Sequence, residues 1–222
     1  MVTYMKKTLC AILALLFVTL SLSSCVKGNK FVSEGSAFVD KKTDVSYDFA
    51  PLCYEPIAIG DKVYGSDGDI EFYEIEGQDP TKWLGDADGG VFYAKGVTLP
   101  TVDKMNVARL ELCSVKNQLL VAKRITDAEI ISAIIDGYLF ADEIIYPNKT
   151  ASVSYKLRFA DTSIGVYYCI DFIRYAEDFI IKTDGTETNL GKDFLYNRSE
   201  DRFVKAPKTL VAEINALLGE GA

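Results

Sequence analysis

Residues 107–135 read VARLELCSVKNQLLVAKRITDAEIISAII, and residues 164–173 read IGVYYCIDFI. The two stretches decide the fold class. Residues 107–113 alternate, with Ala108, Leu110 and Leu112 on one face, the period of a half-buried strand. Residues 118–124 supply a partner strand. Thr126, Asp127, Ala128 and Glu129 then form a capping box, with Thr126 as the N-cap and Glu129 reaching back. Ile130, Ile131, Ile134 and Ile135 follow at helical spacing, and Gly137 is the expected helix end. Further on, Tyr155, Leu157 and Phe159 alternate with polar residues. Residues 164–173 are nearly continuously apolar, as in a central strand covered on both faces.

Asp184-Gly185 is a two-residue hairpin turn. A last helix starts near Pro207, carries Leu210, Val211, Ile214, Leu217 and Leu218 on one stripe, and stops at Gly219. The order ββαββββα predicts an α+β fold: an antiparallel sheet with two main helices, preceded by a β-rich N-terminal portion.

That portion covers residues 45–105, and the α+β portion covers 106–219, as one domain or two. Within 45–105, Gly65-Ser66-Asp67-Gly68 is a turn cluster between strand-like runs. Asp79-Pro80 reads as an N-cap with proline at the first helical position, so Trp83 and Leu84 are expected on a single helical turn ending at Gly85. Residues 85–90 (GDADGG) read as a loop. Residues 25–44 are small and polar and read as a tether.

At the N-terminus, Lys6 and Lys7 precede an uncharged apolar run, residues 9–22 (LCAILALLFVTLSL), and Leu22-Ser23-Ser24-Cys25 closes it. Fourteen helical residues span roughly 21 Å, short of a bilayer core of about 30 Å. The run therefore reads as a removed secretion signal, residues 1–24. The closing four residues resemble the lipobox of bacterial lipoprotein precursors. That resemblance implies cleavage before Cys25, a diacylglyceryl thioether on Cys25, and an extracytoplasmic chain held to the cell membrane by lipid. Two or more acyl chains anchor stably where one does not. A second, looser resemblance covers residues 57–83 (IAIGDKVYGSDGDIEFYEIEGQDPTKW) and the body after them. They are similar to uncharacterised lipoproteins of Gram-positive bacteria, which implies location and no mechanism.

The net charge of the chain is −8, with no basic block, so neither nucleic acid nor nucleotide phosphate is an expected partner. The segment GTETNLGK (185–192) has one residue too many between its glycines for a phosphate loop, and Asp193 stands where Ser or Thr would hold magnesium. No histidine occurs, which removes Ser-His-Asp and Cys-His nucleophiles and HExxH zinc chemistry. Of five cysteines, Cys10 leaves with the signal and Cys25 carries lipid. Cys53, Cys113 and Cys169 remain, allowing one internal bridge at most, and Cys113 and Cys169, in apolar strand-like runs, read as small buried hydrophobes.

Acidic residues are what is left. Asp67, Asp69 and Glu71, or Asp86 and Asp88, could offer oxygens to calcium, but neither set has EF-hand spacing, and aspartate beside glycine is ordinary turn chemistry. No metal and no cofactor is expected. Trp83, Asp86 and Asp88 together suggest a loop that recognises a ligand, against the alternative that Trp83 packs inward. The sequence thus points to a non-catalytic binding or interaction module at the cell envelope, its partner an envelope protein or glycan. The alternative is a histidine-free glycan hydrolase using paired carboxylates.

Overall fold

A computed structural model of the chain describes residues 28–115, 120–147 and 149–220. Cys25 and the signal segment lie outside the described residues. The chain is mixed α+β and β-rich.

Its first half is a closed barrel. The strands are β1 (Asn29–Glu34), β2 (Ala37–Asp40), β3 (Ser46–Phe49), β5 (Ile59–Ser66), β6 (Glu71–Ile75), β7 (Trp83–Gly85) and β8 (Val91–Ala94). They follow the order β1-β2-β3-β8-β7-β6-β5. All neighbours are antiparallel except β1 and β5, which close the barrel in parallel through Asn29↔Gly65 and Lys30↔Ser66. At this seam a Cβ on Gly65 would sit 2.5 Å from the Asn29 carbonyl oxygen, so only glycine fits. A barrel this small is filled by side chains. Phe31, Tyr47, Phe72, Leu84 and Phe92 fill it, with Phe31 stacked on Phe72 at 4.3 Å between ring centroids.

Two expectations are corrected here. Residues 29–40, read as tether, are β1 and β2: Phe31 and Phe38 pack among the aromatic rings that fill the barrel, and that burial outweighs the polar residues between them. Residues 83–85 are not a helical turn. The Asp79 carboxylate accepts from the Thr81 N–H (2.9 Å) and its carbonyl accepts from Lys82 and Trp83, a tight turn. Trp83 then pairs with Tyr93, while Gly85 pairs with both Tyr73 and Val91.

The second half is an antiparallel sheet in the order β10-β9-β11-β12-β15-β16. Its strands are β9 (Val107–Ser114), β10 (Val121–Ile125), β11 (Val153–Asp161), β12 (Val166–Arg174), β15 (Asp193–Asn197) and β16 (Arg202–Lys205). β13 (Ile180–Thr183) and β14 (Thr186–Asn189) form a separate hairpin. Asp184 and Gly185 both have positive φ there, as a type I′ turn requires. Six strands therefore follow the first helix, where the pattern suggested four.

Helices α1 (Ala128–Leu139) and α2 (Lys208–Leu218) cover one face of this sheet. Ile131, Ile134 and Tyr138 of α1 and Leu210 and Ile214 of α2 pack with Leu110, Leu157, Phe159 and Phe172 of the strands. The N-cap of α1 is Asp127, not Thr126: its carboxylate accepts from the N–H groups of Glu129 (2.9 Å) and Ile130 (3.2 Å). Gly137 does not end α1 but lies inside it. Gly219, in the left-handed region at φ 72°, does end α2.

The two halves interlock. Between β3 and β5 the chain leaves the barrel to form β4 (Tyr54–Pro56), which pairs with β12 at Val166–Tyr168. Ala50, Ile75, Trp83 and Val91 from the barrel half belong to the same buried cluster as the helix-covered sheet.

Candidate functional site

The helices leave the other face of the larger sheet open. Residues directly opposite on adjacent strands share a face, and the register sets two rows there. One row is Cys113, Lys156, Asp171 and Tyr196; the next is Glu111, Arg158 and Cys169. β4 adds Glu55, opposite Tyr167.

Charges on this face are paired. Glu55 receives Lys156 at 2.6 Å and Arg158 at 2.7 Å. Burial alone would raise the Glu55 carboxyl, but the Lys156 hydrogen bond and charge, with Arg158, outweigh it and hold the group below the usual carboxylate range. Glu111, 2% exposed, accepts from Arg109, Arg124 and the Tyr167 hydroxyl. Asp171 differs. Burial pushes its carboxyl up despite Arg198 at 3.0 Å.

A cleft of about 230 Å³ opens in this face. It exists because β12 changes neighbour along its edge. β4 pairs with Val166–Tyr168 and β15 begins pairing at Asp171, leaving Cys169 and Ile170 between them. Lys156, Cys169 and Asp171 line it from the sheet, with Leu52 and Cys53 before β4, and Asn197 and Ser199 at the β15–β16 turn.

Asn197 organises that turn. It is 1% exposed; its Oδ1 accepts from the N–H groups of Ser199 (3.0 Å) and Glu200 (3.3 Å), and its Nδ2 donates to the Tyr168 hydroxyl at 2.7 Å. The Tyr168 and Tyr138 hydroxyls in turn donate to the two Glu200 oxygens at 2.7 and 3.0 Å. Burial drives the Tyr138 phenol up to about 12 and the Tyr168 phenol higher. Burial also pushes the Cys53 thiol up to about 11 and the Cys169 thiol well above its ordinary value. Both are neutral thiols near pH 7 and weak nucleophiles.

The loop favoured by the sequence is not part of this cleft. Trp83 is 5% exposed and packed in the main core, so it cannot stack on a ligand at the surface. The Asp86 carboxylate accepts from the N–H groups of Asp88 (2.9 Å) and Gly90 (2.7 Å), a closed turn. Asp67 does the same for Asp69 and Ile70. Asp88 is exposed beside that turn. Among the described residues, no group of three or more His, Cys, Asp or Glu is placed to hold a metal ion. The cleft residues lie far apart in sequence and carry no motif. The one signal for them was the odd set of three cysteines.

No protein-family model matches this chain, and no curated protein and no solved structure matches it. No described helix is long and apolar enough to cross a membrane.

Proposed function

We propose that the chain is a lipid-anchored extracytoplasmic binding module, held to the cell membrane through Cys25, with the open-face cleft as its contact site. One observation carries the binding reading. Among the described residues, every charged side chain lining the cleft already has a partner of opposite sign: Lys156 with Glu55, Asp171 with Arg198. With neutral thiols beside them, no described side chain there is a free base or an activated nucleophile. The cleft is smaller than typical small-molecule pockets. It suits one side chain or one ring presented by a larger envelope protein or glycan, with Leu52 (76% exposed) and Val115 (44% exposed) as an apolar rim. The lipobox resemblance supports the location.

A second reading rests on the contrast between Glu55, held low, and Asp171, pushed high. Carboxylates driven apart in this way serve as base and acid in hydrolases. The ion pairs on Glu55 weigh against it.

The test uses the full chain in membranes, with a photo-crosslinking residue at Leu52 and a second at Phe140, which is 84% exposed and does not line the cleft. A discrete adduct from position 52 and none from 140 is expected, with no turnover on peptide, ester, nucleotide or glycan substrates. Turnover abolished by Asp171→Asn would overturn the reading and promote the hydrolase.

A further inference from the structure

Cys53 and Cys169 face one another across an antiparallel pair. The β4–β12 register runs Pro56↔Val166, Glu55↔Tyr167, Tyr54↔Tyr168. The next step outward sets Cys53 opposite Cys169, and the Cys169 N–H donates to the Cys53 carbonyl at 2.7 Å. At the other end, the Ile57 N–H donates to the Gly165 carbonyl at 2.9 Å in the same register. The alternation of these bonds puts Cys53 and Cys169 at a hydrogen-bonded position just past the last ladder pair, where Cα atoms of opposed residues typically stand about 5.5 Å apart. That is the commonest separation in disulfides. Both residues line the cleft, 5% and 7% exposed, and both are free thiols.

The third cysteine is excluded by the same register. Cys113 lies opposite Lys156, and Cys169 lies opposite Arg158, so β11 stands between them. Two strand spacings are about 10 Å, beyond disulfide reach. Cys53 is one strand further away. Of the three pairings open to these cysteines, one is geometrically allowed.

We propose that Cys53 and Cys169 form a cross-strand disulfide when the chain meets a disulfide-class oxidant, fastening β4 to β12 and making the wall of the cleft redox-sensitive. The proposal rests on register alone and does not depend on where the chain resides. Chemically, one cysteine thiolate attacks the oxidant's S–S bond, giving a mixed disulfide and releasing one thiolate, which takes up a proton. The second cysteine, deprotonated, then attacks the first cysteine's sulfur and releases the other half of the oxidant. Two protein thiols are oxidised and one disulfide is reduced to two thiols. Bond formation draws the Cβ atoms together by about 1 Å from a typical cross-strand spacing. Cys53 is the end that can give, because it lies in the turn before β4, closed by the Tyr54 N–H on the Pro51 carbonyl at 2.9 Å.

The test treats the full chain with oxidised glutathione, unfolds it, alkylates remaining thiols and maps its peptides. The expected product is one linked pair containing Cys53 and Cys169, lighter by two hydrogens than the separate peptides, with Cys113 alkylated. Alkylation of both Cys53 and Cys169 after oxidation, or a link involving Cys113, overturns the proposal. A melting measurement guards against misfolded variants. The oxidised wild type should melt on the order of 5–10 °C above its reduced form, and Cys53→Ser/Cys169→Ser should melt alike with and without reductant. A wild-type melting point that ignores reductant also overturns it.

Discussion

Gly137 in α1 lies against the ring of Pro207 at the start of α2: a Cβ built on Gly137 would stand 2.5 Å from the proline Cγ and 2.7 Å from its Cβ. The glycine is there for helix–helix approach, not to stop the helix. Alanine in a helix interior gains up to about 1 kcal/mol over glycine. Forcing a methyl against a rigid ring costs about 1–3 kcal/mol. Gly137→Ala should therefore lower stability on balance, read as the denaturation midpoint, while in the Pro207→Gly background the same change should be neutral or stabilising. Equal effects in both backgrounds would remove this account of the contact.

Arg174 is 3% exposed and holds Asp193, Asn215 and Glu220 together, tying β12 to β15 and α2. Truncating it leaves Asp193, mostly buried, without its counter-charge. Arg174→Met should cost about 2–4 kcal/mol, somewhat less than a fully buried pair because Asp193 keeps some solvent. Urea denaturation measures it; a loss no larger than that of an ordinary surface substitution would show the network is incidental.

Glu55 and Asp171 should respond to pH in opposite directions. The Glu55 carboxyl is lowered in the fold, so its contribution is present above the unfolded carboxylate value and is lost as pH falls through the folded one. Glu55→Gln should therefore destabilise at neutral pH, with the deficit shrinking in acid. The Asp171 carboxyl is raised, so ionising it opposes folding. Asp171→Asn should stabilise at neutral pH, with the advantage vanishing once acid protonates the wild type. Melting curves across pH 3–7 (about the range over which carboxylates titrate) would show the two lines converging on wild type from opposite sides. Parallel shifts would contradict the assigned environments.

Asp86 organises its own loop. Asp86→Ala removes two hydrogen bonds from the N–H groups of Asp88 and Gly90, for a loss of about 1–2 kcal/mol. Added calcium should leave the melting point of wild type and variant unchanged. A calcium-dependent rise in the wild type alone would restore the metal reading of Asp86 and Asp88.

The second half of the fold was legible where periodicity is strong. Leu157 and Phe159 bury on alternate positions, residues 164–173 sit at the centre of a sheet, and Asp184-Gly185 and Gly219 adopt the backbone their residue types favour. The barrel was not legible, for a physical reason. Its strands run three to eight residues, and β1 and β2 each bury only one or two side chains, too few to set a period against polar neighbours. The parallel closure of β1 on β5 leaves no local signature at all. Trp83 misled because an N-cap-like Asp79-Pro80 precedes it, while the two-sided pairing of its strand β7, through Leu84 and Gly85, decides its state. The cleft brings Cys53 beside Lys156, Cys169 and Asn197, which lie more than a hundred positions further along the chain, and only the sheet register brings them together.

The functional reading depends first on Cys25. The most direct measurement is incorporation of labelled fatty acid into the full chain in bacterial cells, compared with Cys25→Ala. The account predicts a labelled, processed wild-type band and an unlabelled, unprocessed variant. A wild-type band without label, or equal label in the variant, would contradict it.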